Sequence, residues 1–182
     1  MQDPSFFGYG SLVNRATHSY PDVAPTRVRG WMRAWQGTSL RELAFLTAVP
    51  VDGAEISGLV ARVPGADWAA LDERERAYAR HPITVAGRSD VAIYAVEPRH
   101  CEDAEHPILL SYLDTVVQGF LAEFGEAGAR DFFATTRNWH LPLVDDRAAP
   151  IYPRATVLTA AEQDFVDREY AASQERALDL AR

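Results

Sequence analysis

Hydrophobic positions fall into two rhythms along this chain, and the change comes near residue 107. In the first half they sit in short runs or alternate with polar residues. Residues 5–9, Ser-Phe-Phe-Gly-Tyr, read as an apolar strand. Arg27 to Trp35 alternates large apolar with polar residues, the period-two mark of a half-buried strand. Leu43 to Val51 and Glu55 to Val63 are two further strands, and Asp52-Gly53 between them predicts a hairpin turn. Ile83 to Val85 and Val91 to Val96 pair across Gly87-Arg88-Ser89-Asp90. Between these strands, Val13 to His18 reads as a helical turn and Ser19 to Pro25 as a loop. A longer helix starts at Asp67, a suitable N-cap, and carries Trp68, Leu71, Glu75 and Tyr78 at helical spacing. It stops near Arg80, because Pro82 disfavours helix at the residue before it.

After Pro107 the period becomes helical. Leu109, Tyr112, Leu113, Val116, Val117, Phe120, Leu121 and Phe124 form the stripe of a core-facing helix over residues 108–124. Gly128 to Thr135 predicts another helix, and Thr136 to Pro153, with three prolines, an irregular segment. Thr159-Ala160-Ala161-Glu162 has the form of a capping box that opens a terminal helix to about Leu180. Strands first and helices afterwards argue for an α+β fold. The expectation is a small mixed, mostly antiparallel sheet, curled like a barrel, with flanking helices, in a single domain over residues 1–182.

Composition narrows the function without choosing it. The chain has 182 residues, 47% of them hydrophobic and 24% charged, which suits one soluble globular domain. A formal net charge of −8 with no basic tract argues against binding a phosphate backbone, so no nucleic-acid partner is expected. No run approaches the roughly 18 apolar residues that a bilayer span needs, and the first four residues lack the basic start of a leader. With one cysteine, Cys101, there is no internal disulfide. These features lead us to expect a cytoplasmic protein that does not engage a membrane.

Two segments carry candidate chemistry. In Phe6-Phe7-Gly8-Tyr9-Gly10-Ser11-Leu12 a strand runs into two glycines, which permit positive φ or close approach of a ligand. Such a loop either ends the strand as a simple turn or aims successive N–H groups at a carboxylate or phosphate. In Leu71-Asp72-Glu73-Arg74-Glu75 the helical spacing puts Glu75 near the buried face with Leu71 and Tyr78, and turns Asp72, Glu73 and Arg76 toward water. A carboxylate there is either a paired structural ion or a group with a raised pKa. Other candidates are weaker. His100 and Cys101 are adjacent and point apart on an extended chain. The scattered histidines lack the spacing of a metal site. Asp145-Asp146 reads as a turn pair, and Tyr152 either packs in the core or closes over a substrate.

Taken together, these segments resemble the γ-glutamylcyclotransferase superfamily, with the ChaC-like branch the nearest in appearance. Phe7-Gly8-Tyr9-Gly10-Ser11-Leu12 is similar to its F-G-Y-G-S-L loop, and Leu71-Asp72-Glu73-Arg74-Glu75 to its L-D-x-R-E segment, followed by a Y-x-R tail at Tyr78 and Arg80. Arg33-Ala34-Trp35-Gln36-Gly37-Thr38-Ser39 is similar to the branch's R-x-F-W-Q-G-S, and residues 55–61 to its W-G-V-A-Y strand. The chain departs from the branch at Val13-Asn14, where I-W is usual, and at Arg76-Ala77, where glycines are common. The resemblance implies an enzyme that releases 5-oxoproline and an amine or peptide from a small γ-glutamyl compound, glutathione among the candidates. It implies Glu75 as the catalytic base and then acid, with Tyr9, Gly10, Ser11, Leu12 and Tyr78 binding substrate and with no metal or cofactor. The alternative is a non-catalytic small-molecule-binding relative with the same fold.

Overall fold

The computed structural model describes residues 3–180. Met1 and Gln2, with which the segment read for a leader begins, lie outside the described residues. The strands are β1 (Ser5–Gly8), β2 (Ala24–Thr38), β3 (Arg41–Arg62), β4 (Tyr78–Val85), β5 (Arg88–Val96), β6 (Cys101–Glu102), β7 (Ile108–Leu109), β8 (Thr136–Arg137) and β9 (Leu143–Val144). The helices are α1 (Ala69–Arg74), α2 (Leu110–Ala134) and α3 (Ala160–Leu180).

The main sheet runs β4-β5-β1-β3-β2-β6, with β8 added alongside β2. β1 pairs parallel with β5 and antiparallel with β3, so the N-terminal strand lies in the middle of the sheet. β8 also runs parallel to β2, while the remaining pairs of the main sheet are antiparallel. The sheet curls strongly. β2 and β4 are separated by three strands, yet the Trp31 and His81 rings lie 6.0 Å apart. This is a half-barrel flanked by helices, the α+β architecture expected, with an open seam in place of full closure.

α2 lies against the sheet, and its apolar stripe supplies Leu113, Val116, Val117 and Phe120 to the core, where they join Phe7, Trp35, Leu46 and Leu59. Gly125, at φ 65°, breaks the helical geometry within α2, between the two segments that the periodicity separates. α3 begins at the expected capping box: the Thr159 N–H and hydroxyl donate to the Glu162 carboxylate, and the Glu162 N–H donates back to Thr159 Oγ1.

Two expectations change. Asp52-Gly53 is no hairpin turn. β2 pairs with β3 on both sides of it, Arg29 opposite Glu55 and Trp31 opposite Pro50, so residues 51–54 form a large bulge facing Gly30. The hairpin turn lies at Ser39-Leu40 instead, at the far end of β2. The helix expected from Asp67 to Arg80 is also much shorter. α1 ends at Arg74, and Tyr78 and Arg80 belong to β4, where they pair with Val96 and Tyr94. Strand pairing outweighs local helical spacing here.

Candidate active site

The glycine loop follows β1 from the middle of the sheet and winds into a short 3₁₀ turn, Ser11–Val13. Neither Gly8 nor Gly10 adopts positive φ, contrary to one reading of the loop. Both are required by close approach. A Cβ on Gly8 would lie 2.5 Å from the Leu12 Cβ, and one on Gly10 would lie 2.8 Å from the Tyr112 hydroxyl and 3.2 Å from Leu46 Cδ2. The Tyr9 side chain points away from the loop into the sheet, where its hydroxyl donates to the Tyr94 carbonyl at 2.6 Å and accepts from the Ala48 N–H at 2.9 Å. Tyr9 therefore offers the site its backbone, while its ring clamps three strands together. Leu12 likewise packs inward, into a small cluster with Phe6, Leu71 and Tyr94.

Glu75 caps the C-terminal end of α1, so its carboxyl is set by the place where the helix stops rather than by a helical face. Leu71 anchors that helix in the core, as the spacing predicts. Asp72, expected in water, is half-buried: it accepts from the Tyr94 hydroxyl at 2.6 Å and meets Arg80 at 3.1 Å. The Glu75 side chain is 16% exposed and lies 3.3 Å from Arg74 Nε. Arg74 also donates to Ser11 Oγ at 3.1 Å and to the Thr17 carbonyl and hydroxyl. One guanidinium thus ties the carboxylate to the glycine loop. Burial raises the Glu75 pKa above the ordinary carboxylate value, and the positive charges of Arg74 and Arg154 hold back only part of that rise.

A cleft of about 30 Å³ lies between these elements, lined by the loop residues and by Leu46, Glu75, Tyr78, Tyr94 and Tyr112. It adjoins a groove of about 700 Å³ with which it shares Ser11, Leu46, Glu75, Tyr78 and Tyr112. Of the residues singled out in the sequence, Tyr9, Gly10, Ser11, Leu12, Glu75 and Tyr78 all line this cleft, Tyr9 and Leu12 with their side chains turned into the core. Tyr78 reaches it from β4, with its hydroxyl donating to the Leu46 carbonyl at 3.0 Å. Its pKa is raised well above the ordinary tyrosine value, chiefly by burial.

Sequence reasoning missed Tyr112. It looks like one more member of the α2 stripe, yet its hydroxyl stands at Gly10 and is hydrogen-bonded by the Ser11 backbone. Burial raises its pKa far more than that bond lowers it. Tyr152 packs edge-on against it, with centroids 5.0 Å apart. Tyr152 is brought there by Asp146, which is buried and accepts from the Ser111 N–H at 2.8 Å, the Ser111 hydroxyl at 2.5 Å and the Ile151 N–H at 2.8 Å. Burial works against the Asp146 charge, but the hydrogen bonds from Ser111 and Ile151 together hold its pKa below the usual value. Asp146 is thus a structural anchor for the irregular segment. Among the described residues, no His, Cys, Asp and Glu side chains cluster as a metal site requires, and no helix is long and apolar enough to cross a membrane.

Residues 6–114, more than half of the chain and all of the cleft's glycine loop and α1, match the family described as gamma-glutamyl cyclotransferase, AIG2-like. The chain belongs to that family. Solved structures share its fold at low sequence identity. One titled gamma-glutamyl cyclotransferase has 16% identity and a TM-score of 0.57, over 92% of this chain and 99% of that one. A human protein, uncharacterized protein loc79017, has 17% identity and a TM-score of 0.59 over the same shares. YkqA from Bacillus subtilis has 19% identity and a TM-score of 0.56 over 76% of this chain, which spans 57% of the YkqA chain. No curated protein sequence matches. The family match is to the AIG2-like group and does not single out the ChaC-like branch.

Proposed function

We propose that this family member is a γ-glutamyl cyclotransferase that converts a small γ-glutamyl compound into 5-oxoproline and a free amine or peptide, with Glu75 moving the protons. The observation that carries this reading is the placement of a half-buried carboxyl with a raised pKa in the same cleft as the glycine loop, joined to it through Arg74.

The reaction needs a base and an acid in turn. The substrate's α-amine arrives as an ammonium and cannot attack until it loses a proton. A carboxylate whose pKa is raised is a stronger base than an ordinary glutamate and, once protonated, holds the proton until the leaving nitrogen, which is far more basic, takes it. The freed amine attacks the γ-carbonyl carbon and closes a five-membered ring, leaving an oxyanion beside the loop. Backbone donors in the Gly10–Leu12 turn are suited to hold the substrate's carboxylate or that oxyanion. Collapse breaks the bond to the leaving nitrogen. Of the three ammonium hydrogens one stays on the lactam nitrogen. The other two pass through Glu75 in succession and end on the leaving amine. The tight walls of Leu46, Tyr78 and Tyr112 favour the folded substrate in which amine and carbonyl meet.

The test is a panel assay for 5-oxoproline with glutathione, γ-glutamyl dipeptides and γ-glutamyl amines. Release from at least one class is expected. Binding of γ-glutamyl compounds without any release would instead mark a non-catalytic relative. Activity on glutathione alone would favour the ChaC-like branch.

A further inference from the structure

The groove that continues from the cleft differs in charge from the rest of the molecule. The chain carries a net charge of −8, yet the groove is lined by Arg41, Arg74, Arg76 and Arg154 against only Glu73 and Glu75. Two of the arginines are already engaged: Arg74 meets Glu75, and Arg76 meets Glu73, each at 3.3 Å. The Arg41 and Arg154 side chains have no hydrogen-bond or ion-pair partner among the described residues. Their backbones are nonetheless fixed. Arg41 opens β3 directly after the β2–β3 turn. Arg154 follows Tyr152 on the segment that Asp146 and Ser111 pin to the start of α2, and its charge is felt at Glu75.

A γ-glutamyl head placed against the glycine loop sends its leaving group along this groove. We infer that Arg41 and Arg154 select substrates whose leaving group carries a carboxylate, an α-amino acid or a peptide, over those that release a neutral alkylamine. The inference rests on the cyclotransferase reading above. Two unpaired guanidinium groups facing a concave wall concentrate positive potential there, against the field of the whole molecule. A guanidinium also matches a carboxylate with two parallel N–H donors.

A matched substrate pair isolates the effect: γ-glutamyl-alanine and γ-glutamyl-ethylamine differ only in the leaving group's carboxylate. A charge-assisted hydrogen bond predicts a preference of about tenfold in kcat/KM for γ-glutamyl-alanine, mostly in KM. The ratio is the readout, because removing Arg154 also acts on Glu75 and changes turnover of both substrates. The double variant R41Q/R154Q should bring the ratio close to one, and R154K should keep most of it. Both positions are exposed, so folding should be unaffected. A ratio near one in the unaltered protein, or a ratio that survives in R41Q/R154Q, overturns the inference while leaving the cyclotransferase reading intact. No 5-oxoproline from either substrate, or from any other γ-glutamyl compound, overturns both.

Discussion

On one side of the cleft the side chains are committed to partners within the fold. Tyr9 joins β1 to β3 and β5, Arg74 holds Ser11, Thr17 and Glu75, and Tyr78 is bonded to Leu46. On the other side, Tyr112 and Tyr152 meet edge to face, and beyond them the Arg41 and Arg154 side chains have no hydrogen-bond or ion-pair partner among the described residues. The first wall is pre-organised, so little needs to move when a fixed chemical group is bound. The second leaves charge available, with Arg41 at the start of β3 and Arg154 on the segment that Asp146 anchors to α2. The contrast fits the proposed reaction, which would hold a head that all γ-glutamyl substrates share and read a leaving group that varies.

The comparison breaks most readily at the first wall. Gly10→Ala places a methyl group 2.8 Å from the Tyr112 hydroxyl, with Leu46 on its other side. Overpacking of that kind costs about 1–3 kcal/mol, and a displaced Tyr112 or loop should lower kcat/KM by about a hundredfold. Steady-state kinetics and a thermal melt check both. At the second wall, Asp146→Asn removes a carboxylate that accepts from Ser111 and Ile151. The loss should be about 1–3 kcal/mol in stability, read by denaturant titration. Because the folded pKa of Asp146 is depressed, its contribution is present above the ordinary aspartate pKa and is lost as pH falls through the folded value. The variant should therefore differ least from the parent in acid.

A smaller effect should appear in the pH profile. Glu75 must be ionised to accept a proton, and its pKa is raised by burial. The acid limb of kcat/KM should therefore lie above the ordinary glutamate value of about 4.3. Arg74→Gln removes the nearest positive charge and should move that limb further up, by about one pH unit. An acid limb at the unperturbed value, or one that Arg74→Gln leaves in place, contradicts the assignment.

Much of the first wall was legible because its signals are local. A strand running into Gly-Tyr-Gly-Ser shows in the residues themselves, and so does a carboxylate four residues after a core leucine. Even so, the structure puts Glu75 in the cleft for a different reason from the one its spacing suggests. The helix ends at Arg74, and Tyr78 arrives from a strand whose pairing with β5 spacing alone does not reveal. Asp52-Gly53 misleads for the same reason: a strong turn signal yields to a neighbouring strand that pairs on both sides of it. The second wall depends on long-range contacts. Tyr112 has the spacing of a core residue, and Arg154 is positioned through long-range contacts such as that between Asp146 and Ser111, 35 residues apart in the chain. Neither placement leaves a mark in the local pattern.

The central claim, that Glu75 moves the protons, is tested most directly by 5-oxoproline release from the best γ-glutamyl substrate, compared between the parent and Glu75→Gln. The amide keeps the size of the side chain and cannot act as a base, so the rate should fall by about a thousandfold or more. Stability should not fall with it. With its folded pKa raised, Glu75 favours folding most when protonated, and that contribution fades as pH rises through the folded value, so a neutral amide should leave the melting temperature at pH 7 unchanged or slightly higher. A folded Glu75→Gln protein that still releases 5-oxoproline at close to the parent rate contradicts the account.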